Sequence, residues 1–300
     1  MQGPMVISLA KKGGRIRPSL TLPDEMNITP LVIGKTTEQV VQLLGRLFSL
    51  CRRSQEAAAR LAFGLPPTDP DAHVAEILRD SLFRLMIGLP RALGKTALPL
   101  PADWQTNPVS VRAAVFGPSG HMPVSDTEFR AWLRSDEGLA PLIAALADSF
   151  APGEAASNVL TFRGSLGQPR ENSPAMRHVT HPVMIEIEVK NGRGPLWRTV
   201  ARLLDLEACL DHTLPPPRLI EPGVAEASAT RGMYRLGAVV KDERVVSMWR
   251  HTPTDDICHP RGSLISALAA LPMAKRHLAP LVVECFDPCL PWTLREADHA

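Results

Sequence analysis

No apolar stretch in this sequence reaches the roughly 18–20 residues that a bilayer-spanning helix needs, so no membrane segment is expected. The basic-then-apolar order of a secretory leader is also missing, because Lys11 and Lys12 follow the apolar residues of the first ten positions. There is no excess of one charge either. A formal net charge of +2 over 300 residues gives no reason to expect nucleic acid or an anionic membrane as a partner. Cysteine is sparse and odd in number, at Cys51, Cys209, Cys258, Cys285 and Cys289. That scatter argues against a disulfide framework and for a reduced, cytoplasmic setting.

What is present is the composition of a soluble globular chain, 45% hydrophobic and 21% charged, long enough to bury a substantial core. Residues 1–30 read as an extended arm or hairpin. Thr36 with Gln39 three positions on forms a capping-box pattern. Val40, Leu44, Leu47, Phe48 and Cys51 then make one apolar stripe at helical spacing, and the helix is expected to run on to Phe63. Further helices are expected over about 70–88, 125–150 (capped by Ser125 or Asp126) and 196–214, with 89–124 irregular and 151–182 a long loop. Two β-branched runs, Leu236 to Val240 and Val245 to Trp249, predict a hairpin. A loop from His251 to Gly262, a short helix from Ser263 and a buried strand from Leu281 to Phe286 should then deliver the chain to Asp287-Pro288-Cys289. The expected class is α+β and predominantly α-helical, with a helical core and a C-terminal β-hairpin and strand region.

Several motifs fail on spacing. Gly34-Lys35-Thr36 and Gly94-Lys95-Thr96 lack the glycine five positions earlier that lets backbone amides wrap phosphate. Gly192-x-Gly194 runs directly into Pro195 and has no third glycine, which argues against a dinucleotide fold. Cys258-His259 with Cys285 and Cys289 offers zinc-type ligands, but not as the usual closely spaced pairs.

The C-terminal half holds an ordered series: the segment Glu226 to Thr230, Arg231-Gly232, the hairpin, Pro253-Thr254 through Pro260-Arg261, a helix, and Phe286-Asp287-Pro288-Cys289. This series resembles the nickel–iron hydrogenase large subunit. Upstream, Gly194-Pro195-Leu196-Trp197-Arg198 resembles the family's Gly-Pro-x-x-Arg helix start, and Arg46 to Cys51 its Arg-x-Cys-Gly-x-Cys. The resemblance covers both ends and leaves about 65–180 unsupported. On it, residues 1–300 form a single domain like that subunit.

The departures are specific. Four thiolates hold the nickel–iron centre in the family; here Phe48 stands at the first cysteine position and Trp292 at the last. Arg17 stands where the family has a proton-transfer glutamate, Leu236 where it has a histidine, and only Thr293 to Ala300 follow the last motif. Such stripping is similar to the hydrogenase expression/formation proteins of the HupK and HoxV kind. The resemblance implies a non-enzymatic maturation scaffold that transiently carries iron with CO and cyanide ligands, with no nickel, and passes it to the large subunit precursor. Maturation proteins that deliver the iron fragment would be its other partners.

Cys51 and Cys289 are the implied iron ligands, with Arg231, Pro253 and Thr254 facing the cyanides. Cys289 matches a nickel-terminal position, so the iron would sit displaced or Cys285 would assist. A metal-free chaperone that mimics the large subunit and a zinc-binding regulatory protein are the alternatives.

Overall fold

The computed structural model describes residues 3–24, 26–159, 161 and 167–297. Residues 5–21, within the stretch expected to be an extended arm or hairpin, form a hairpin that is anchored rather than free. Strands β1 (Met5–Lys12) and β2 (Arg15–Thr21) form an antiparallel hairpin, and β1 also pairs in parallel with the last strand, so the N-terminus is held by residues from the other end. Strict alternation buries Met5, Ile7 and Leu9, and the turn uses Gly13 and Gly14, both at positive φ.

Helices α1 (Thr29–Val32), α2 (Thr37–Leu47) and α3 (Arg52–Ala62) follow. The capping box is present: Thr36 Oγ1 accepts from Gln39 N at 3.3 Å, and Gln39 Oε1 from Thr36 N at 3.1 Å. The single helix expected up to Phe63 is instead two. Phe48 is extended and Cys51 adopts a left-handed conformation (φ 51°), which ends one helix and starts the next. The apolar stripe concealed the break, because a brief non-helical excursion need not disturb the polarity pattern.

The central bundle begins with α4 (Ala72–Phe83), one turn of π-helix at Arg84–Gly88, and α5 (Leu89–Ala92). Helix α6 (Pro108–Phe116) arises in the stretch expected to be irregular, capped by Asn107 Oδ1, which accepts from Val109 N and Ser110 N. The helix expected over 125–150 is also two, α7 (Asp126–Leu133, capped by Ser125) and α8 (Ala140–Ser149). Gly138 between them is at φ 52°, and a Cβ there would meet the Val115 carbonyl oxygen at 2.5 Å. After α9 (Pro182–Asn191) comes α10 (Pro195–Leu210), in which 13 of 16 residues are buried, making it the axis of the fold.

The described residues of the expected loop over 151–182 hold no α-helix or strand before Pro182, but part of the stretch is buried. Residues 160 and 162–166 lie outside the described residues, but Arg170, Glu171, Asn172 and Ser173 are buried, ahead of a 3₁₀ turn at Pro174–Arg177. Polar sequence reads as exposed loop, yet Arg170, Glu171 and Asn172 are paired internally. Asn172 bonds Met233 N at 2.7 Å, and Arg198 pairs with Glu171 at 2.5 Å.

A four-stranded antiparallel sheet comprises β3 (Arg218–Glu221), β4 (Val224–Ala229), β5 (Gly232–Lys241) and β6 (Arg244–His251) in that order. The predicted hairpin is β5–β6; β3 and β4 were not expected. Small residues on β4 (Ala225, Ala227 and Ala229) share a core cluster with Ala58, Ala59 and Ala62 of α3, and small side chains allow close approach of helix and sheet.

The predicted loop at 251–262 contains α11 (Pro253–Ile257), and α12 (Ser263–Ala270) starts where expected. The strand expected over Leu281 to Phe286 is a helix, α13 (Ala279–Phe286). A short apolar run cannot be assigned by periodicity alone, and Pro280, which interrupts no strand pairing here, falls in the first turn of the helix, where a proline is tolerated. Strand β7 (Trp292–Ala297) closes the three-stranded sheet, order β2-β1-β7. The observed α+β architecture matches the expected class.

Candidate functional site

Cys51 stands at the N-cap of α3 but makes no side-chain cap bond. The capping acceptor comes from α4 instead. Glu76 receives Arg53 N at 3.1 Å and Ser54 N at 3.3 Å, which frees the thiol for other contacts. Burial pushes the Cys51 thiol up to about 11, although the Arg231 charge beside it pulls the other way.

Arg231 lies with Thr230 in the two-residue turn between β4 and β5, and both are buried. The next residue, Gly232, sits at φ 144°, where a Cβ would strike Asn172. Arg231 Nη1 donates to Cys51 Sγ at 3.5 Å. Its Nε donates to the Asp287 carbonyl at 2.9 Å and its Nη2 to Asp287 Oδ1 at 3.2 Å.

Asp287 ends α13 in a left-handed conformation (φ 50°), which turns the chain into Pro288-Cys289. Its carboxylate is shared by Arg84 at 2.7 Å, Arg202 at 3.1 Å and Arg231, three cations from three different elements. Phe286 beside it lies under the Arg198 guanidinium, 3.7 Å from the ring centroid.

Thr254 completes the group from α11, whose first turn is fixed by a capping box between Thr252 and Asp255 and by buried Pro253 at the first helical position. The helix is braced from below, since Asp256 accepts from Arg170 Nε and Asn172 Nδ2, each at 2.8 Å. Thr254 Oγ1 accepts from Cys289 N at 2.9 Å. Burial raises the Cys289 thiol, opposed by a Thr254 hydrogen bond and the Arg231 charge. Elements far apart in sequence therefore bring Cys51, Cys289, Arg231 and Thr254 together, with Pro253 shaping the turn that carries Thr254.

The remaining cysteines lie elsewhere. Cys285 is on α13, packed toward α10 with Thr199 Oγ1 at 3.8 Å from its sulfur, and burial raises it to about 12. Cys258 is buried with its sulfur 3.6 Å from Met5 Sδ, and Cys209 packs with Ile77 and Leu214. Phe48 carries Arg250 over its ring at 4.0 Å, and Trp292 opens β7 opposite Met5. Leu236 is fully buried, and Arg17 is exposed on β2. Among the described residues no group of three or more His, Cys, Asp and Glu side chains could hold a metal ion. The arrangement places two thiols, a guanidinium and a hydroxyl in one neighbourhood.

Sequence reasoning missed Glu76, Arg84 and Arg202. Arg202 left a signal, a cation within an otherwise apolar stretch of α10, Val200 to Leu204. Glu76 and Arg84 left none.

No protein-family model matches the chain. The hydrogenase expression/formation protein HupK of Rhodobacter capsulatus is 40% identical over 303 residues, covering 100% of both chains. Among solved structures, the reduced Ni-Fe-Se hydrogenase of D. vulgaris Hildenborough is 12% identical with a TM-score of 0.55, covering 93% of this chain and 94% of that one. The reduced, active Ni-Fe-Se hydrogenase of Desulfomicrobium baculatum is 14% identical with a TM-score of 0.56, covering 94% and 95%. At such identities these structures establish the fold, that of a nickel–iron hydrogenase large subunit. Full-length identity to HupK establishes the family: this chain belongs to the hydrogenase expression/formation proteins.

Proposed function

We propose that the protein is a hydrogenase maturation scaffold. It transiently holds an iron fragment carrying cyanide and carbon monoxide between Cys51 and Cys289, then passes it to the large subunit precursor. The observation that carries this reading is the contact of Arg231 with Cys51 at 3.5 Å, together with the hydrogen bond from Cys289 N to Thr254 Oγ1 at 2.9 Å. Iron bearing diatomic ligands needs few protein donors, and two soft thiolates suffice. Its cyanides accept charge-assisted hydrogen bonds, for which Arg231 is a suitable donor.

Both thiols hold their protons strongly, so loading releases protons and reprotonation favours release. That suits a carrier more than a permanent centre. Phe48 and Trp292, at the two other thiolate positions, leave no set for nickel, so the role is accessory and not catalytic. The partners are the large subunit precursor and the maturation proteins that deliver the iron fragment, in the cytoplasm. No helix of the described chain is long and apolar enough to cross a membrane.

A metal-free chaperone is the second reading, favoured by the lack of a three-ligand group among the described residues. A zinc-binding regulatory protein, whose structural site would take four protein ligands, is a third reading, and stoichiometric zinc in the purified protein would favour it.

Protein purified without oxygen from a maturation-competent host decides between them. Iron with CO and cyanide infrared bands is the expected result. Protein from that host with neither iron nor bands would remove the scaffold reading and leave the chaperone.

A further inference from the structure

The strand that leads to Thr254 carries a cation without a counter-charge. Arg250 on β6 stands opposite Leu236 on β5, so the two side chains share a face, with Tyr234 two residues along it. Leu236 and Tyr234 belong to the buried cluster that also holds Cys51. Arg250 is half-buried, its guanidinium 4.0 Å from the centroid of the Phe48 ring. Phe48 lies three residues before Cys51, and Arg250 four before Thr254. Among the described residues Arg250 makes no hydrogen bond and no ion pair, and the buried Tyr234 hydroxyl takes no bond from it.

The other charged groups around the thiols are engaged. Arg231, Arg202 and Arg84 share Asp287, and Arg84 also meets Glu284. Asp205, which acts on Arg202, pairs with Arg177 and His178. Arg79 pairs with Asp80, and Glu76 accepts from the α3 backbone. Asp255 is exposed, accepts from Thr252 N at 2.6 Å and lies 4.0 Å from His251. Only an aromatic ring holds Arg250. Burial raises the Cys289 thiol, and the Arg250 charge opposes it together with Thr254 and Arg231.

Iron(II), two cyanides and two thiolates leave a loaded site doubly negative once the thiol protons have gone to solvent. Arg231 cannot offset that by itself, because it shares its charge with Asp287. Negative charge held away from water is costly unless a counter-charge lies close. We infer that Arg250, seated on Phe48, is a second cation of the thiol site, which offsets the charge of the iron fragment and favours it over uncharged cargo. The role rests on the scaffold reading and adds a specificity-determining residue to it.

The test uses the full chain from a maturation-competent host, as wild type, Arg250→Met, Arg250→Lys and Phe48→Leu. Met keeps an apolar stem and removes the charge, so iron loss to a chelator should quicken about two- to fivefold, the scale of a partly exposed charge pair. The CO infrared band should move to lower wavenumber, because a weaker positive field leaves more iron electron density for back-donation. Lys can keep a charge over the ring and should restore both readouts most of the way to wild type. A stack that only supports the fold would lower the unfolding midpoint of the metal-free protein and leave the band in place. Phe48→Leu removes the seat of Arg250, should also lower the band, and decides the matter if R250M fails to fold. A wild-type band and wild-type iron loss in R250M would overturn the inference, as would an equal band shift in R250K, which would trace the effect to packing. Wild-type protein without iron or bands sinks the scaffold reading and this role with it; loaded wild type with an unmoved band in R250M sinks this role alone.

Discussion

Arg231 and Asp287 are joined twice, through Nε to the aspartate carbonyl at 2.9 Å and through Nη2 to its carboxylate at 3.2 Å. This pairing fixes the guanidinium, so that its third arm, Nη1, points at Cys51. The same aspartate turns the chain toward Cys289. One contact therefore sets the geometry around both thiols.

Removing one thiol should remove the cargo. Cys289→Ser and Cys51→Ser are expected to abolish iron and the diatomic infrared bands in protein matured in a competent host, whereas Cys209→Ser retains both. Cys209 sits in a separate apolar cluster, so equal loss from all three variants would point to a general folding defect.

Arg231→Lys keeps the charge but cannot reproduce the fork that reaches Asp287 and Cys51 together. Hydrogen bonds to charged groups contribute about 1.5–3 kcal/mol, so cargo retention should fall roughly ten- to hundredfold. Iron loss against a chelator over time measures it; unchanged loss kinetics would refute the role of the fork.

Asp287→Asn would leave three arginines sharing one fewer negative charge in a buried setting. Breaking such a pairing costs about 3–5 kcal/mol. Urea unfolding of the metal-free protein should register that loss, and a change below about 1 kcal/mol would mean that solvent already compensates these arginines.

Alkaline pH should weaken the metal-free fold. The Cys51 thiol sits near 11 in the folded chain against an ordinary value of 9.0. Above pH 9 the unfolded chain therefore loses a proton that the folded chain keeps. Stability is full below pH 9 and declines as pH rises toward 11, by at most about 3 kcal/mol for this group. Cys51→Ser should remove only this share of the decline in denaturant midpoints measured from pH 8 to 11, because Cys285 and Cys289 are raised as well. Cargo binding runs oppositely, tightening about tenfold per pH unit below 9 for each thiol proton released.

Thr36→Ala removes a reciprocal cap on exposed backbone and should cost about 1 kcal/mol, read from the unfolding midpoint, with iron content unchanged.

Local features were legible in the sequence because their causes are local. The Thr36–Gln39 box, the β5–β6 hairpin and the start of α12 each rest on residues within a few positions of one another. The order of motifs from Arg231 to Cys289 likewise carries the large-subunit kinship in the sequence itself. Where one short pattern fits two structures, sequence could not choose. Leu281 to Phe286 is apolar enough for a strand or a buried helix, and only its packing against α10 and α12 settles it as helix. The break at Cys51 was hidden for the related reason that polarity continued across it.

The amino-acid sequence by itself determined the family and the fold class, and it singled out Cys51, Cys289, Arg231 and Thr254 as candidates. Tertiary structure alone decided that the four meet, and that Asp287 gathers Arg84, Arg202 and Arg231. Arg202 and its partner Asp287, both buried, are 85 residues apart. No periodicity or cap spans that distance; burial of charge in a shared core does, by requiring each cation to find a counter-charge wherever the chain delivers one.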